Sequence, residues 1–237
     1  MSNTWFQFKQ FRIVQENSAL KVGTDGVLLG AWCDISGSQR ILDVGTGTGL
    51  IALMLAQRSD AMISAIEIDA EACKDAQHNF RNSSWTDRLT LYPQDFNIFQ
   101  ETHSLQFDLI VSNPPYFKKS LRSVKMASSV ARHDVSLSFQ QIISGSKRLL
   151  NEIGRLAVIL PSTALDDFRE TARLEGFYLC RKTNVVPRTG KPPKRVLLEF
   201  SLTPVYPVVD ELVLLQGQIQ YSERFIELTK DFYLDGN

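Results

Sequence analysis

Between residue 40 and about residue 180, short apolar runs alternate with segments whose apolar positions recur every three or four residues. The runs Arg40–Val44, Ala61–Glu67, Arg88–Tyr92, Phe107–Ser112 and Arg155–Leu160 have strand length and predict strands. Leu50–Gln57, Ala70–Asn82, Phe139–Leu150 and Pro161–Leu174 predict helices, the last with proline at its first position. Strands alternating with helices call for a parallel sheet covered on both faces. The rhythm then changes. Phe177–Val186 and Arg195–Leu202 flank a Pro/Gly/Lys loop too short for a crossover helix, which predicts an antiparallel pair. Tyr221–Tyr233 has helical spacing, with Ser222 as a cap before Glu223. The expected class is therefore α/β, with a mostly parallel sheet, an antiparallel C-terminal strand pair and helices on both faces. Residues 1–237 read as one domain: a lid over the sheet's carboxyl end (1–35) and a core ending in a helix (36–237). Within the lid, Phe6, Phe8 and Phe11 read as a packed edge.

The first strand–helix junction is Asp43-Val44-Gly45-Thr46-Gly47-Thr48-Gly49-Leu50. Alternate glycines let the backbone turn tightly and approach a ligand that a Cβ would obstruct. The G-x-G-x-G spacing differs from the G-x-G-x-x-G loop that wraps a pyrophosphate onto a helix N-terminus, and it suits a nucleoside without phosphates. Gly45, Thr46, Gly47 and Gly49 are thus candidate cofactor contacts. About 20 residues on, the second strand ends at Glu67-Ile68-Asp69, where a carboxylate can accept both hydroxyls of a ribose. Glu67 is the candidate for that role, with Ile68 beside it and Asp69 placed to cap the next helix. Asp95 follows the third strand and could accept from an adenine amine, with Phe96 lying on the ring face. Asp43, just before the turn, could hold an amino group directly or through water. Together these resemble the motif set of the Rossmann-like class I S-adenosylmethionine-dependent methyltransferases.

The fourth strand runs directly into Asn113-Pro114-Pro115-Tyr116. Two prolines end the strand and fix a rigid turn at the sheet's carboxyl edge, where such folds bind ligands. An exocyclic amine on a base is a poor nucleophile because its lone pair is delocalised into the ring. Two acceptors aimed at its hydrogens, the Asn113 side-chain oxygen and the Pro114 carbonyl, can draw that nitrogen toward tetrahedral geometry. Proline's fixed φ preorganises the carbonyl. Tyr116 offers a face on which a splayed base can stack. Asn113, Pro114, Pro115 and Tyr116 are therefore the catalytic candidates, with Asn113 also within reach of the cofactor. The segment resembles the signature of enzymes that methylate exocyclic amines of adenine or cytosine, or glutamine amides.

Composition adds boundaries. With 237 residues, 43% hydrophobic and 22% charged, the chain has enough apolar content for one sizeable core. It holds no run of the roughly 18 apolar residues that a membrane span needs, and its N-terminus lacks a signal-peptide layout, which points to the cytoplasm. Cys33, Cys73 and Cys180 have no metal-ligand spacing and read as free thiols; no metal is expected. Formal net charge is zero, but two stretches are locally basic. One contains Lys118, Lys119, Arg122, Lys125 and Arg132; the other contains Arg181, Lys182, Arg188, Lys191, Lys194 and Arg195. Such patches suit a compact polyanion better than a long duplex. Lys118, Lys119, Arg122, Arg132, Lys194 and Arg195 are the candidate RNA contacts, while His133 beside Asp134 reads equally as a structural residue.

Further segments extend the resemblance nearly end to end: Phe6–Phe11, Lys21–Gly30, Ala131–His133, Pro193–Phe200 and Leu228–Leu234. All look like the bacterial tRNA1(Val) (adenine-37-N6)-methyltransferase family. That resemblance implies S-adenosylmethionine as cofactor, the anticodon loop of a tRNA as partner, and N6 of adenine 37 as the target. It also implies that Lys21, Thr24 and Asp25 form a segment closing over the cofactor. The sequence itself leaves the oligomeric state undetermined, with a monomer favoured. A glutamine-amide methyltransferase is the nearest alternative, although those enzymes usually carry an N-terminal helical domain for which about 35 residues leave no room. A DNA methyltransferase would want a target-recognition domain. A non-catalytic RNA-binding factor that keeps the cofactor fold is the alternative from another class.

Overall fold

The computed structural model describes residues 3–114, 137–217 and 219–234. Pro115, Tyr116, Lys118, Lys119, Arg122, Arg132 and His133 lie outside the described residues.

The chain opens with a hairpin, β1 (Trp5–Gln7) and β2 (Arg12–Val14), followed by α1 (Thr24–Trp32). Then come β3 (Arg40–Val44), α2 (Leu50–Arg58), β4 (Met62–Glu67), α3 (Ala70–Arg81), β5 (Leu89–Pro93), α4 (Phe96–Thr102) and β6 (Phe107–Ser112). After residue 136 follow α5 (Phe139–Leu149), β7 (Leu150–Pro161), α6 (Leu165–Leu174), β8 (Tyr178–Arg188), β9 (Arg195–Ser201), β10 (Val208–Gln216), β11 (Gln220–Tyr221) and α7 (Glu223–Thr229). Among the described residues, a sheet of nine strands runs in the order β11-β10-β8-β9-β7-β6-β3-β4-β5. β9 is antiparallel to both β7 and β8, as the short loop before it requires, and β11 folds back on β10; the other neighbouring strands pair in parallel.

Burial explains the period of the strands. Leu109 and Val111 face one hydrophobic cluster with α1, α2 and α7; Phe107 and Ile110 face a second with α4, α5 and α6. Both faces are covered, so the central strands read as continuous apolar runs. Phe8 and Phe11 are buried and stack on each other, 4.7 Å between ring centres, with Trp85 against Phe11 and Tyr233 against Phe8. α1 packs along α2, where Gly30 admits Met54 so closely that a Cβ would sit 2.8 Å from its sulfur.

Several boundaries differ from expectation. Pro161 is the last residue of β7, extended at φ −58° and ψ 140° and paired with Arg195, rather than the start of a helix. A single short turn intervenes before α6 begins at Leu165. The C-terminal helix covers only Glu223–Thr229. Tyr221 belongs to β11, and the Phe232 N–H bonds back to Thr229 in a turn. The hairpin, α1, α4, β10 and β11 are additional to the elements that the sequence pattern predicts.

A half-buried polar cluster gathers on the α1 face around the buried Glu199. Glu199, 2% exposed, accepts from Arg155 and Arg181, each at 2.9 Å, and Arg155 also reaches Asp34 at 2.7 Å. The Arg181 guanidinium lies 3.6 Å over the ring of Trp32, whose indole N–H donates to Thr183. A paired, hydrogen-bonded charge can occupy such a position; an unpaired one would be costly there.

Candidate active site

The candidate residues meet because four strands end side by side. In the order β5-β4-β3-β6, Pro93 is opposite Glu67, Ile66 opposite Val44, and Val44 opposite Ser112. Asp95, Glu67, the glycine turn and Asn113 therefore leave the sheet in a row, neighbours separated by roughly 4.8 Å. The Ser112 hydroxyl donates to the Val44 carbonyl at 2.9 Å and pins the last two together. Asn113 is half-buried and Pro114 buried.

The turn itself is held from both sides. The N–H groups of Gly45 and Thr46 both donate to the Ile66 carbonyl, and Gly47 N–H donates to Glu67 Oε2 at 2.8 Å. Glu67 Oε1 accepts from Ile68 and Asp69 N–H, each at 2.9 Å. Asp69 caps α3 through Ala72 N–H, as expected. Two of the glycines serve different needs. Gly49, at φ +84°, lies where a Cβ would be 2.5 Å from the Phe80 ring, so helix packing requires it. Gly47, at φ +58°, has open space where its Cβ would be, so its backbone is approachable from outside.

Asp43 is fully buried beneath the turn. Its Oδ2 accepts from the Thr46 hydroxyl at 2.6 Å and from Ala52 N–H at 3.1 Å. Its Oδ1 is buried without a hydrogen-bond partner among the described residues. Burial pushes the carboxyl up to about 7, against the pull of these two donors and with a further push from the Glu67 charge. A raised folded-state value means that the protonated form is favoured on folding. The associated cost is absent below the unfolded value and grows as pH rises toward 7. The Asp43→Asn variant without ligand should therefore gain stability over the parent by about 1.4 kcal/mol per pH unit between pH 5 and 7, levelling above. Urea denaturation at stepped pH measures this; a difference that does not change with pH contradicts it.

Phe96 does not match its expected role. It begins α4, but its ring is 2% exposed and turned into the core against Gly145, where a Cβ would be 2.5 Å away. It leaves no ring face for an adenine. Ile68, 48% exposed beside Glu67, is the apolar surface on that side. Asp95 caps α4, accepting from Asn97 N–H at 2.6 Å.

The segment before α1 is self-tied. The Lys21 ammonium donates to the carbonyls of Gln15 and Ser18. Thr24 is the exposed first residue of α1. Asp25 is bonded to Arg195 at 2.7 Å, which joins two residues expected to serve different ligands. The pair stands near the glycine turn, since the neighbouring Gly26 packs on Leu50, the first residue of α2. Lys194 is exposed at the start of β9, the width of β7 away from Asn113.

Two residues that the sequence reading missed organise this corner. Asn79 amide hydrogens reach the carbonyls of Val14 and Thr48, both at 2.8 Å, while its oxygen accepts from Val14 N–H. Asp75, one turn earlier, accepts from Asn17 and Ser18 N–H. Together they fasten the N-terminal segment to the glycine turn. Their signal was available: both sit in the i, i+3, i+4 stripe that buries Ala72, Ala76 and Phe80.

Comparison with known proteins bears on the family and the fold. The methyltransferase small domain model matches residues 20–166. A tRNA1(Val) (adenine(37)-N6)-methyltransferase of Parabacteroides distasonis is 45% identical over 235 residues, 99% of each chain. The chain belongs to the tRNA1(Val) (adenine(37)-N6)-methyltransferase family. Among solved structures, a protein described as an O-methyltransferase from Agrobacterium tumefaciens aligns with TM-score 0.70 at 18% identity, covering 88% of this chain and 96% of its own. One described as a class I S-adenosylmethionine-dependent methyltransferase from Listeria monocytogenes aligns with TM-score 0.53 at 16% identity, covering 79% and 61%. At such identities the likeness is one of fold, and the fold is that of the class I methyltransferases.

Proposed function

We infer that this protein transfers a methyl group from S-adenosylmethionine to N6 of adenine 37 in the anticodon loop of tRNA1(Val). The observation that carries the chemistry is the Val44–Ser112 register, which brings the glycine turn and Asn113-Pro114 out of adjacent strands. The relatives' full-length kinship supports the substrate.

The residues present fit the cofactor. Open space over Gly45 and Gly47 admits a ligand to the turn, while Asp43 Oδ1, buried without a partner among the described residues, would serve an amino group through an inserted water. Glu67 would hold the ribose, Ile68 the adenine face and Asp95 its amine, while Thr24 and Asp25 would border the entrance. When bound, S-adenosylmethionine supplies an electrophilic methyl group on its sulfonium. The Asn113 oxygen and the Pro114 carbonyl would accept the hydrogens of the target amine and turn its lone pair outward. Of the residues outside the described ones, Pro115 would stiffen the segment by its fixed φ and Tyr116 would offer its ring for the base to stack on. No strong base is needed, because the methylated nitrogen is cationic and sheds its proton readily. An anticodon-loop base is unpaired, so presenting it costs less than extraction from a duplex.

The test incubates the protein with radiolabelled S-adenosylmethionine and tRNA from a strain lacking this enzyme, then digests the RNA to nucleosides. Label in N6-methyladenosine is expected. Label in a protein fraction and none in RNA would instead favour glutamine-amide methylation.

A further inference from the structure

The unanticipated strands β10 and β11 change what surrounds the basic β8–β9 loop. Leu215 of β10 is paired with Arg188, and Thr189 N–H donates to the Leu215 carbonyl, so the loop and the β10–β11 turn stand together. Both lie at the same carboxyl edge as Asn113, because β6, β7, β8 and β10 run parallel. Counting strands from β6 through β7, β9 and β8, the β10 end is four steps or about 19 Å from Asn113.

The chemistry of this surface is one-sided. Residues 176–198 include six Lys or Arg and no acid, and residues 212–222 hold no charge at all. Arg188, Lys191 and Lys194 are exposed. Beside them stand Gln216, Gln220 and Ile219, which is 89% exposed. Tyr221 stacks one face on Phe225 and remains partly open. The nearest acid along the hairpin, Glu223, begins α7. Cations beside exposed apolar and amide groups match a nucleic-acid strand, whose phosphates take the charge and whose unpaired bases and sugars take the rest.

We propose that the β8–β9 loop and the β10–β11 hairpin form a second RNA-holding surface, apart from the base pocket, in which Lys191 and Lys194 grip phosphate and Ile219 meets an unpaired base or sugar. It rests on the tRNA substrate inferred above. Arg195 is a lesser phosphate ligand than its sequence suggests, since its Nε is engaged by Asp25 and its Nη1 by the Lys194 carbonyl.

The full-length K191Q/K194Q and I219S variants test this with full-length tRNA1(Val) transcript at several salt concentrations. K191Q/K194Q should raise KM for tRNA about tenfold and leave kcat at saturating RNA unchanged. Its log–log salt slope should flatten by about 1.4–1.8, the expectation for two lost phosphate contacts. I219S should raise KM without changing the slope. Cofactor affinity equal to the parent's verifies the fold. Variants that keep the parent's KM and slope, where the parent does methylate the tRNA, would overturn this surface alone; a parent that neither binds nor labels tRNA would overturn the substrate reading instead.

Discussion

Replacing Asn113 with alanine should lower turnover by about 100- to 1000-fold while cofactor affinity stays at the parent's level. The magnitude is that of removing one group preorganised for the transition state. The position is what makes the effect specific. Asn113 follows directly on a strand locked to β3 by the Ser112–Val44 hydrogen bond, so the truncated side chain changes an acceptor without shifting the turn beneath it. Proline on its C-terminal side keeps the backbone fixed. Single-turnover rates with labelled cofactor, beside calorimetric cofactor titration, read the two quantities separately. Parent-like turnover would remove the side-chain acceptor from the mechanism. Weakened cofactor binding with proportionate loss of rate would make Asn113 a cofactor residue only.

Glu67→Ala should weaken S-adenosylmethionine binding by about 1.5–3 kcal/mol, roughly 10- to 150-fold. Glu67 does two things at once. One oxygen holds Gly47 N–H, and the other holds Ile68 and Asp69 N–H, so the carboxylate shapes the turn as well as offering acceptors to a ribose. Glu67→Gln separates the roles. It keeps a carbonyl oxygen for part of that backbone network but loses the charge, and should sit between parent and alanine variant. A dissociation constant unchanged in both variants would sink the ribose assignment.

The parts of this site that were legible in the sequence are those set by strand ends. Val44, Glu67 and Ser112 each close an apolar run, and a parallel sheet covered on both faces puts such ends at one edge. What stayed hidden depended on where side chains turn. Phe96 follows Asp95 in sequence, yet as the first residue of α4 its ring goes into the core because Gly145 leaves room for it. α4 itself is short, and Phe96 and Phe99 are its buried residues, too few to set a period. β10 shows edge-strand character: Leu212 is its buried residue, and Asp210 and Glu211 interrupt the apolar run. The C-terminal segment was overread as helix because Leu228 and Phe232 keep helical spacing across a chain turn that brings Phe232 and Tyr233 onto the N-terminal hairpin. Lys9 N–H donates to the Phe232 carbonyl there, and the Tyr233 ring stacks on Phe8. Charge was misleading at Arg195, whose partner Asp25 is 170 residues away in sequence.

The most direct test of the account pairs two tRNA1(Val) transcripts that differ only at position 37, adenine in one and guanine in the other, each incubated with the protein and labelled cofactor. Label in the adenine transcript, recovered as N6-methyladenosine, and none in the guanine transcript is the predicted result. Equal labelling of both transcripts would contradict it, placing the methyl group on another nucleotide.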